Sequence, residues 1–429
     1  MIKVLWLVGM ILPQIADDLG IEMNSASRSW QVKLADEIAK SSDIRLCVVF
    51  PQTIKQGLLK GSFNVDESGE NNVEYIGFYQ DAKPRVSYDQ KNEKVFKEII
   101  TDIKPDILHI WGTEFSYSLA MINAFDNPDK TVISIQGLMG ILADRYYSDL
   151  PFSAKYGFTL RDLLRLDNVF FQKYRFRRRA RYEKIALEKV GNFIGRTDWD
   201  RAATYYYNKS AKYYNCNEIL RSGFYENTWD IDTCEKHSVI VSQAGYPIKG
   251  IHKVLEAIGQ LLDEYPNIML YVCGNSLFKE GFKGKLKKSY YSKYIETLIR
   301  KYNLENHVSF LGVQDEEGMI KCYKRANVYV SASSMENESN SLSEAKMLGM
   351  PVIASYAGGT SRRVDDGVDG FQYQYTESYM LAYYIKQTFD DDELAISMGK
   401  RARENAQAIN DIETNRNRLF EIYGEIEKS

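Results

Sequence analysis

Short apolar runs alternate with longer amphipathic stretches along almost the whole chain, and this alternation restricts the fold more than any other feature of the sequence. In the first half the runs predict buried strands at Lys3–Met10, Ile44–Phe50, Val73–Phe78, Ile107–Trp111, Thr131–Ile135 and Asn192–Gly195. The stretches between them, such as Trp30–Lys40 and Gln90–Ile103, have the spacing of helices that cover a sheet. Strands that alternate with helices are typical of a parallel sheet.

The same rhythm begins again after the polar, turn-rich segment Gly223–Lys236. Further strands are predicted at Ser238–Gln243, Ile268–Cys273, Val308–Leu311, Val328–Ser331 and Pro351–Ser355. We therefore expect two doubly wound, Rossmann-like α/β domains at 1–225 and 238–408, a linker at 226–237, and a helix in 409–429 that packs back on the first domain. Since such sheets bind ligands beyond the carboxyl ends of their strands, the active site is expected in a cleft between the domains.

Composition excludes several other classes of protein. The 429 residues have a net charge of -3, so the basic excess of a nucleic-acid-binding domain is missing. Five cysteines without a CxxC pair, together with four histidines, predict no zinc site and favour reduced thiols in the cytoplasm. The apolar run Val4–Leu12 has no cleavage pattern and ends at Pro13, which favours a first strand over a signal peptide. No apolar run is long enough to predict a transmembrane helix.

The segment Ser331–Gly370 holds the densest group of residues with chemical potential. Glu336 and Glu344 are eight positions apart, one in a polar turn after a buried strand and the other near the start of a helix predicted from Leu342. Gly358 and Gly359 precede a second predicted helix. Helix starts favour anions, and glycine lets a backbone approach a bulky phosphate closely. The pattern favours a nucleotide-sugar site, with amides for the pyrophosphate and carboxylates for hydroxyl groups.

A structural alternative exists for one of the two carboxylates. The residues Ser341-Leu-Ser-Glu344 fit a capping box, in which Ser341 caps the helix and Glu344 bonds back to it. Such a box stabilises a helix and implies no chemistry.

At this point the sequence resembles a known family. The pattern Glu336-x7-Glu344, with the local form ENxxNSLxEA, is similar to the signature of family-4-type retaining glycosyltransferases of the GT-B fold, in a branch common in bacterial surface-polysaccharide clusters. The resemblance also takes in Gly245–His252, which is similar to the phosphate-binding loop of that branch. Together the motifs span most of 238–375 in the expected order.

The resemblance implies a role for each matching residue. Glu344 would accept hydrogen bonds from the donor ribose, Glu336 would contact the donor sugar, and Lys249 would balance the charge of the pyrophosphate. Contacts near the phosphates are implied for Gly245, Asn340, Ser341, Leu342, Gly358 and Gly359. No metal and no cofactor is expected besides the nucleotide-diphosphate sugar. Many relatives carry an arginine where this chain has Ala244, and Arg196 is a conceivable substitute.

The first half resembles the family more loosely. Trp30 follows Arg28-Ser29 where relatives have two glycines, and Ser29 could instead cap a helix. Two residues near the end of a predicted strand, His109 and Glu114, are candidates for the acceptor side, although His109 could simply pack in the sheet. Gln136 stands where many relatives have a histidine near the reacting sugar. Glutamine cannot act as a general base, so Gln136 would orient the sugar, and the leaving phosphate would take the acceptor proton.

The stretch Lys173–Lys184 carries seven cationic residues and one acidic residue among aromatic rings. A basic amphipathic helix suits an anionic membrane surface or a phosphate-bearing acceptor. The alternative is a solvated helix face whose arginines pair with acidic neighbours. Because no nucleic-acid-binding module is present, a nucleic-acid partner is not expected.

Together these features predict a cytoplasmic hexosyltransferase, peripheral on the inner face of the plasma membrane. It would transfer a sugar, with retention, from a nucleotide-diphosphate sugar to a glycan or lipid-linked glycan in surface polysaccharide synthesis. Two alternatives stay open. Ala244, Gln136 and the missing glycines before Trp30 would suit a catalytically silent GT-B partner subunit, and the same fold also serves nucleotide-sugar epimerases.

Overall fold

Two separate sheets, each built almost entirely of parallel strands, account for the repeated pattern of the sequence. The computed structural model describes residues 1–21, 31–55, 57–65, 71–81, 87–275, 277–278 and 288–429. The chain forms two compact units. The first unit contains Met1–Ile141, Arg175–Arg221 and Asn410–Ser429, and the second contains Leu142–Tyr174 and Ser222–Ile409.

The sheet of the first unit has the strand order β3-β4-β2-β1-β5-β6-β7-β8. Its strands are β1 Ile2–Leu7, β2 Ile44–Gln52, β3 Leu59–Asn64, β4 Asn72–Tyr79, β5 Ile107–Trp111, β6 Thr131–Ser134, β7 Asn192–Gly195 and β8 Lys212–Asn215. All six predicted strands of this half are present. The two strands that were not predicted, β3 and β8, lie at the edges, where alternating exposure replaces a continuous apolar run.

The sheet of the second unit has the strand order β11-β10-β9-β12-β13-β14, and all its neighbouring strands run parallel. Its strands are β9 Glu235–Val241, β10 Met269–Cys273, β11 Val308–Gly312, β12 Ala326–Ser331, β13 Val352–Ser355 and β14 Phe371–Tyr373. Each central strand is buried on both faces, which is why it appears in the sequence as an apolar run.

The helices lie between the strands as the alternation predicts. Up to residue 226 they are α1 Pro13–Asp18, α2 Gln31–Ala39, α3 Gln90–Ile103, α4 Ser116–Phe125, α5 Met139–Arg145, α6 Phe152–Tyr156, α7 Leu160–Arg165, α8 Val169–Lys189, α9 Asp198–Tyr207 and α10 Ser222–Glu226. The remaining helices are α11 Ile251–Leu261, α12 Tyr290–Lys301, α13 Glu316–Arg325, α14 Asn340–Met347, α15 Ser378–Asp390, α16 Asp392–Ile409 and α17 Ile412–Lys428. None of the helices in the described ranges combines the length and apolarity that crossing a bilayer demands.

The limits of the two units differ from the expected domain limits in two places. Residues 142–174 come after six of the eight strands of the first sheet, yet they pack with the second unit. The expected linker 226–237 is anchored at two buried residues, Trp229 and Ile231, and the indole N–H of Trp229 donates to the carbonyl of Ala326. Strand β9 already begins at Glu235, inside that expected linker.

The carboxyl-terminal helix α17 packs on the first sheet. Its buried face, which includes Leu419, Ile422 and Tyr423, belongs to the same apolar core as strands β1 and β2. The hydroxyl of Tyr423 accepts a hydrogen bond of 2.8 Å from the indole of Trp6, 417 residues away. Helix α17 is therefore an integral part of the first unit.

Candidate functional site

The loop after β9 carries Lys249 to the end of the neighbouring strand β12. Pro247–Lys249 forms one turn of 3-10 helix, and Gly250 follows it with φ of 71°. A Cβ atom at Gly250 would lie 1.8 Å from the carbonyl oxygen of Ala332, so this close approach requires glycine. The amide of Ser334 also donates to the carbonyl of Ile248 at 2.7 Å. Gly245 is exposed at the start of the loop, whereas Ala244 is fully buried.

Lys249 and Glu336 form an ion pair in which Nζ lies 2.5 Å from Oε2. The hydroxyl of Ser333 donates to the same carboxylate oxygen at 3.2 Å. Burial by itself would lower the pKa of Lys249, but the negative charge of Glu336 and its hydrogen bond raise that pKa above the ordinary value. Lys249 is therefore a permanent cation beside a carboxylate.

The glycine pair lies directly against this carboxylate residue. The amide of Gly359 donates to the carbonyl of Glu336 at 3.0 Å. Gly358 has φ of 56°, and a Cβ atom there would lie 2.0 Å from the same carbonyl oxygen. The structure thus brings together Lys249, Glu336, Gly358 and Gly359, which are called the Glu336 cluster below.

Helix α14 begins earlier than the sequence suggested. Its cap is Ser339, whose hydroxyl accepts the amide of Leu342 at 3.4 Å. The capping box with Ser341 as its cap is therefore wrong, because Ser341 already lies within the first turn. Glu344 is buried with 6% of its surface exposed, and it lies beyond the first turn. Asn340 and Ser341 keep part of their surface exposed at the helix start, whereas the side chain of Leu342 is in the core.

Two buried ion pairs lie beneath the turn that holds the glycine pair. Lys346 on α14 lies 2.8 Å from Asp369 and also donates to Asn405 at 2.9 Å. Arg363, directly after the turn, lies 2.7 Å from Glu338. Neither pair is visible in the sequence, because its two partners lie far apart along the chain. They fix the turn relative to α14.

A turn at Ser148 and Asp149 also reaches this part of the second unit. Both residues have positive φ, 45° and 59°, which is unusual for residues other than glycine. The Oγ atoms of Ser148 and Ser334 are 2.8 Å apart. Nε2 of His252 lies 2.8 Å from the carbonyl oxygen of Ser148, and burial lowers the pKa of this histidine to about 4. Nothing in the local sequence predicts this contact, and backbone strain of this kind is common at functional sites.

In the first unit, the carboxylates of Glu114 and Glu183 accept hydrogen bonds from backbone amides of the residues that follow β6. Glu183 accepts the amides of Met139 and Gly140 at 2.9 and 3.1 Å. Burial raises the pKa of Glu183 to about 7, although these amides act in the opposite direction. Burial likewise raises the pKa of Glu114 to about 7, against the hydrogen bond from the amide of Gly137. Glu114 keeps part of its surface exposed just past β5, where the sequence predicted an acceptor contact.

Gln136 lies beside a buried ion pair. Its amide group donates to Glu218 at 2.8 Å, and Arg196 lies 2.6 Å from the same carboxylate oxygen. These residues line a cavity of about 20 Å³ together with Trp111 and Ser134. Arg196 is buried in this pair and also donates to the carbonyl of Ile135. These protein partners account for the position of the Arg196 guanidinium, so its role as a substitute phosphate cation stays a hypothesis.

His109 has no exposed surface. Its Nδ1 lies 2.6 Å from the hydroxyl of Tyr423, and its Nε2 lies 2.7 Å from the hydroxyl of Ser134. Burial lowers the pKa of His109 to about 3, so the ring is neutral. This geometry matches the alternative in which His109 packs in the sheet, because both ring nitrogens already contact protein hydroxyls. The third acceptor candidate, Trp30, lies outside the described residues, as do Arg28 and Ser29.

The basic stretch Lys173–Lys184 lies within α8. Several of its cations pack on rings: Nζ of Lys173 lies 4.0 Å from the ring centre of Tyr147, and the guanidinium of Arg179 lies 5.3 Å from that of Phe115. In the described parts of the chain, no cluster of three or more histidine, cysteine or acidic side chains has a geometry that could hold a metal ion.

Sequence comparison with known proteins finds a family match within the second unit. Residues 228–405 match the family model described as "Glycosyl transferases group 1". A D-inositol 3-phosphate glycosyltransferase of Corynebacterium urealyticum is 28% identical over 179 residues, which are 41% of this chain and 40% of that protein. Spore coat protein SA of Bacillus subtilis is 24% identical over 38% of this chain and 41% of that protein. The chain thus matches about two fifths of the length of these relatives.

Solved structures match over nearly the entire length. Sucrose-phosphate synthase from Thermosynechococcus elongatus has a TM-score of 0.73 over 99% of both chains, at 17% identity. Anabaena Alr3699/HepE, solved in complex with UDP and glucose, has a TM-score of 0.66 over 99% of this chain and 100% of that chain, at 16% identity. At such identities the likeness establishes the fold alone. The chain therefore has the GT-B fold of two Rossmann-like domains, and its residues 228–405 match the glycosyl transferases group 1 family model.

Proposed function

We propose that this protein is a retaining glycosyltransferase that moves a hexose from a nucleotide-diphosphate sugar onto a glycan acceptor, with the donor bound by the second unit. The observation that carries the proposal is the Glu336 cluster, because it joins a cation, a carboxylate and a glycine backbone within the segment that matches the glycosyltransferase family model. Alr3699/HepE, which shares the fold, was solved with UDP-glucose.

Each group of the cluster has a chemical task in this proposal. Lys249 neutralises the charge that develops on the leaving diphosphate, and Glu336 accepts hydrogen bonds from hydroxyl groups of the donor sugar. Glu344 accepts hydrogen bonds from the ribose. Gly245, Gly358 and Gly359 let the backbone approach the phosphates, near the first turn of α14, where Asn340 and Ser341 are partly exposed. Leu342 contributes through its backbone, since its side chain is buried.

Retention follows from a reaction on one face of the sugar. The bond between the anomeric carbon and the diphosphate oxygen breaks, and the acceptor hydroxyl oxygen forms a bond to that carbon on the same face. The departing phosphate oxygen takes the hydroxyl proton, so the protein need not supply a base. Gln136 orients the sugar as a hydrogen-bonding group, and Glu114 contacts the acceptor.

For the acceptor we propose a glycan or lipid-linked glycan of a surface polysaccharide. The enzyme would work in the cytoplasm at the inner face of the membrane, where Lys173–Lys184 meets anionic headgroups or an acceptor phosphate. Neutralising Arg177, Arg178 and Arg179 should then weaken binding to anionic liposomes. Binding that is unchanged in this variant would remove the basic stretch from the proposal.

Thermal unfolding with UDP, GDP, ADP and CMP tests the donor site. A ligand at about a hundredfold excess over its dissociation constant stabilises the folded protein by about 2.7 kcal/mol. We expect stabilisation by one nucleoside diphosphate, and its loss in Lys249→Ala and Glu344→Ala. The absence of any stabilisation would favour the silent partner subunit.

Release of free nucleoside diphosphate tests the reaction itself. A glycosyltransferase releases one nucleoside diphosphate for each sugar transferred, whereas an epimerase returns the nucleotide sugar intact. We expect release that depends on an acceptor. Conversion of the nucleotide sugar without release would identify the epimerase alternative instead.

A further inference from the structure

The segment 152–174 of the second unit exposes an unusual amount of apolar surface. Nine of the large hydrophobic side chains that the described residues expose lie within these 23 positions. Phe152, Leu160 and Leu164 are exposed over 78%, 73% and 77% of their surface. Single exposed apolar residues are normal on a soluble protein, but a group of them marks an interaction surface.

The exposed residues form two groups joined by a short loop. On α6 the ring centres of Phe152 and Tyr156 are 4.8 Å apart, and the ring of Phe170 lies 5.9 Å from that of Tyr156. On α7 Leu160 and Leu164 are one helical turn apart, so they project from one face. We call these two helices and the loop between them the apolar platform, residues 152–166.

Buried polar contacts hold the apolar platform in place. Asp162 is fully buried, and it accepts the amides of Thr159 at 3.1 Å and of Tyr290 at 2.7 Å. The hydroxyl of Thr159 donates to the carbonyl of Lys288 at 3.0 Å. The side-chain amide of Asn168 donates to the carbonyl of Gly157 at 3.1 Å. These contacts fix the platform in the position in which its leucines are exposed.

The charges within 152–174 favour one kind of partner. Four cations, Lys155, Arg161, Arg165 and Lys173, stand against two carboxylates, and both carboxylates pair with Arg161 at 2.8 Å. The segment is thus cationic in a chain whose net charge is -3. An anionic lipid surface offers both an apolar interior and negative headgroups. A second copy of the chain would suit it less, since a twofold contact places the same cations opposite each other.

We propose that the apolar platform inserts into the headgroup region of an anionic membrane, with Phe152, Leu160 and Leu164 as the inserting side chains. Membrane insertion would place the enzyme next to a lipid-linked acceptor, and only this link to the acceptor rests on the proposed function. It differs from docking by the basic stretch alone, because apolar insertion resists salt. At about 1 M salt the Debye length is about 3 Å, so attraction between exposed charges is largely screened.

Flotation with vesicles of equal parts phosphatidylglycerol and phosphatidylcholine tests the proposal. The full-length protein should bind them and keep most of its binding at about 1 M NaCl. Each leucine that no longer inserts should weaken binding by about tenfold. The triple variant Phe152→Ser, Leu160→Ser, Leu164→Ser should therefore bind about a hundredfold more weakly or worse. The matched control is Tyr379→Ser with Tyr383→Ser, which removes two exposed rings elsewhere on the same unit and should bind normally.

Three results would overturn the proposal: no binding of the full-length protein to these vesicles, equal binding by the triple variant, or complete release by salt. If the unaltered protein has the mass of two chains in solution and the triple variant has the mass of one, the platform is instead a contact with a second copy. Because the altered residues are exposed, circular dichroism and the melting temperature should be unchanged. The thermal effect of UDP is measured in the same samples, so a failed donor site and a failed platform are distinguishable.

Discussion

Nζ of Lys249 lies 2.5 Å from Oε2 of Glu336, although the two residues are 87 positions apart in the sequence. Each belongs to a different motif of the second unit, and the fold joins them because β9 and β12 are neighbouring parallel strands that end at the same edge of the sheet. A cation and a carboxylate in contact form one unit, so a change to either affects both.

We expect Lys249→Met to abolish stabilisation by the nucleoside diphosphate and to lower turnover by about 10²–10³-fold, because the charge of the leaving group is no longer balanced. Glu336→Ala should abolish turnover while nucleotide binding is mostly kept. The measurements are thermal unfolding with nucleotide and release of the nucleoside diphosphate. Lys386→Met, which breaks exposed ion pairs on the same unit, is the control and should leave both unchanged. Full activity of Glu336→Ala would contradict the assignment of that residue.

Gly358→Ala should disrupt the donor site. The added Cβ would lie 2.0 Å from the carbonyl oxygen of Glu336, so the turn or the carboxylate residue must move. Gly367→Ala is a matched control, since Gly367 also has positive φ but no atom within 4 Å of the added Cβ. Both changes should cost about 1–2 kcal/mol in backbone strain, as urea unfolding would measure. Only Gly358→Ala should lose the thermal effect of the nucleotide, and equal retention by both would show that the close contact is unimportant.

The stability of the first unit should depend on Glu114 and Glu183 in a defined direction. Burial raises the pKa of each carboxyl from 4.5 to about 7. Between these values the folded protein binds more protons than the unfolded chain, so stability is greatest at the acidic end and declines as the pH rises from about 4.5 to about 7. Melting temperatures across this range should fall less steeply in Glu114→Gln, and least in the double variant with Glu183→Gln. A slope that is the same in all three proteins would refute the shifted pKa values.

His109→Phe should destabilise the protein without changing the pH profile of activity between about 5 and 8, since a ring with a pKa of about 3 does not titrate there. The change removes the partner of two buried hydroxyls, on Tyr423 and Ser134, and should cost about 1–3 kcal/mol in urea unfolding. Tyr423→Phe removes one of those hydroxyls. The two substitutions together should therefore cost less than the sum of the single changes, and simple additivity would argue against the contact.

Most of the architecture is visible in the sequence because a strand buried on both faces must be apolar along its length. All six strands predicted for the first half are present, and so are the five predicted for the second. Edge strands do not give a continuous apolar run, so they were not predicted. Strand β3 is more exposed at alternate positions, and β8 holds only four residues. The start of α14 was misplaced by two residues, because Ser339 and Ser341 are equally good caps locally and only the backbone geometry separates them.

By itself the sequence determined the two α/β repeats and the separate motifs that hold Lys249, Glu336 and the glycine pair, since each of these is a continuous local pattern. Only the tertiary structure decided that residues 142–174 pack with the second unit, that Ser148 contacts Ser334, and that His109 is held by Tyr423. The physical reason is that a hydrogen bond or a buried ion pair depends on the positions of both partners. Partners 186 or 314 residues apart leave no periodicity that either segment could reveal alone.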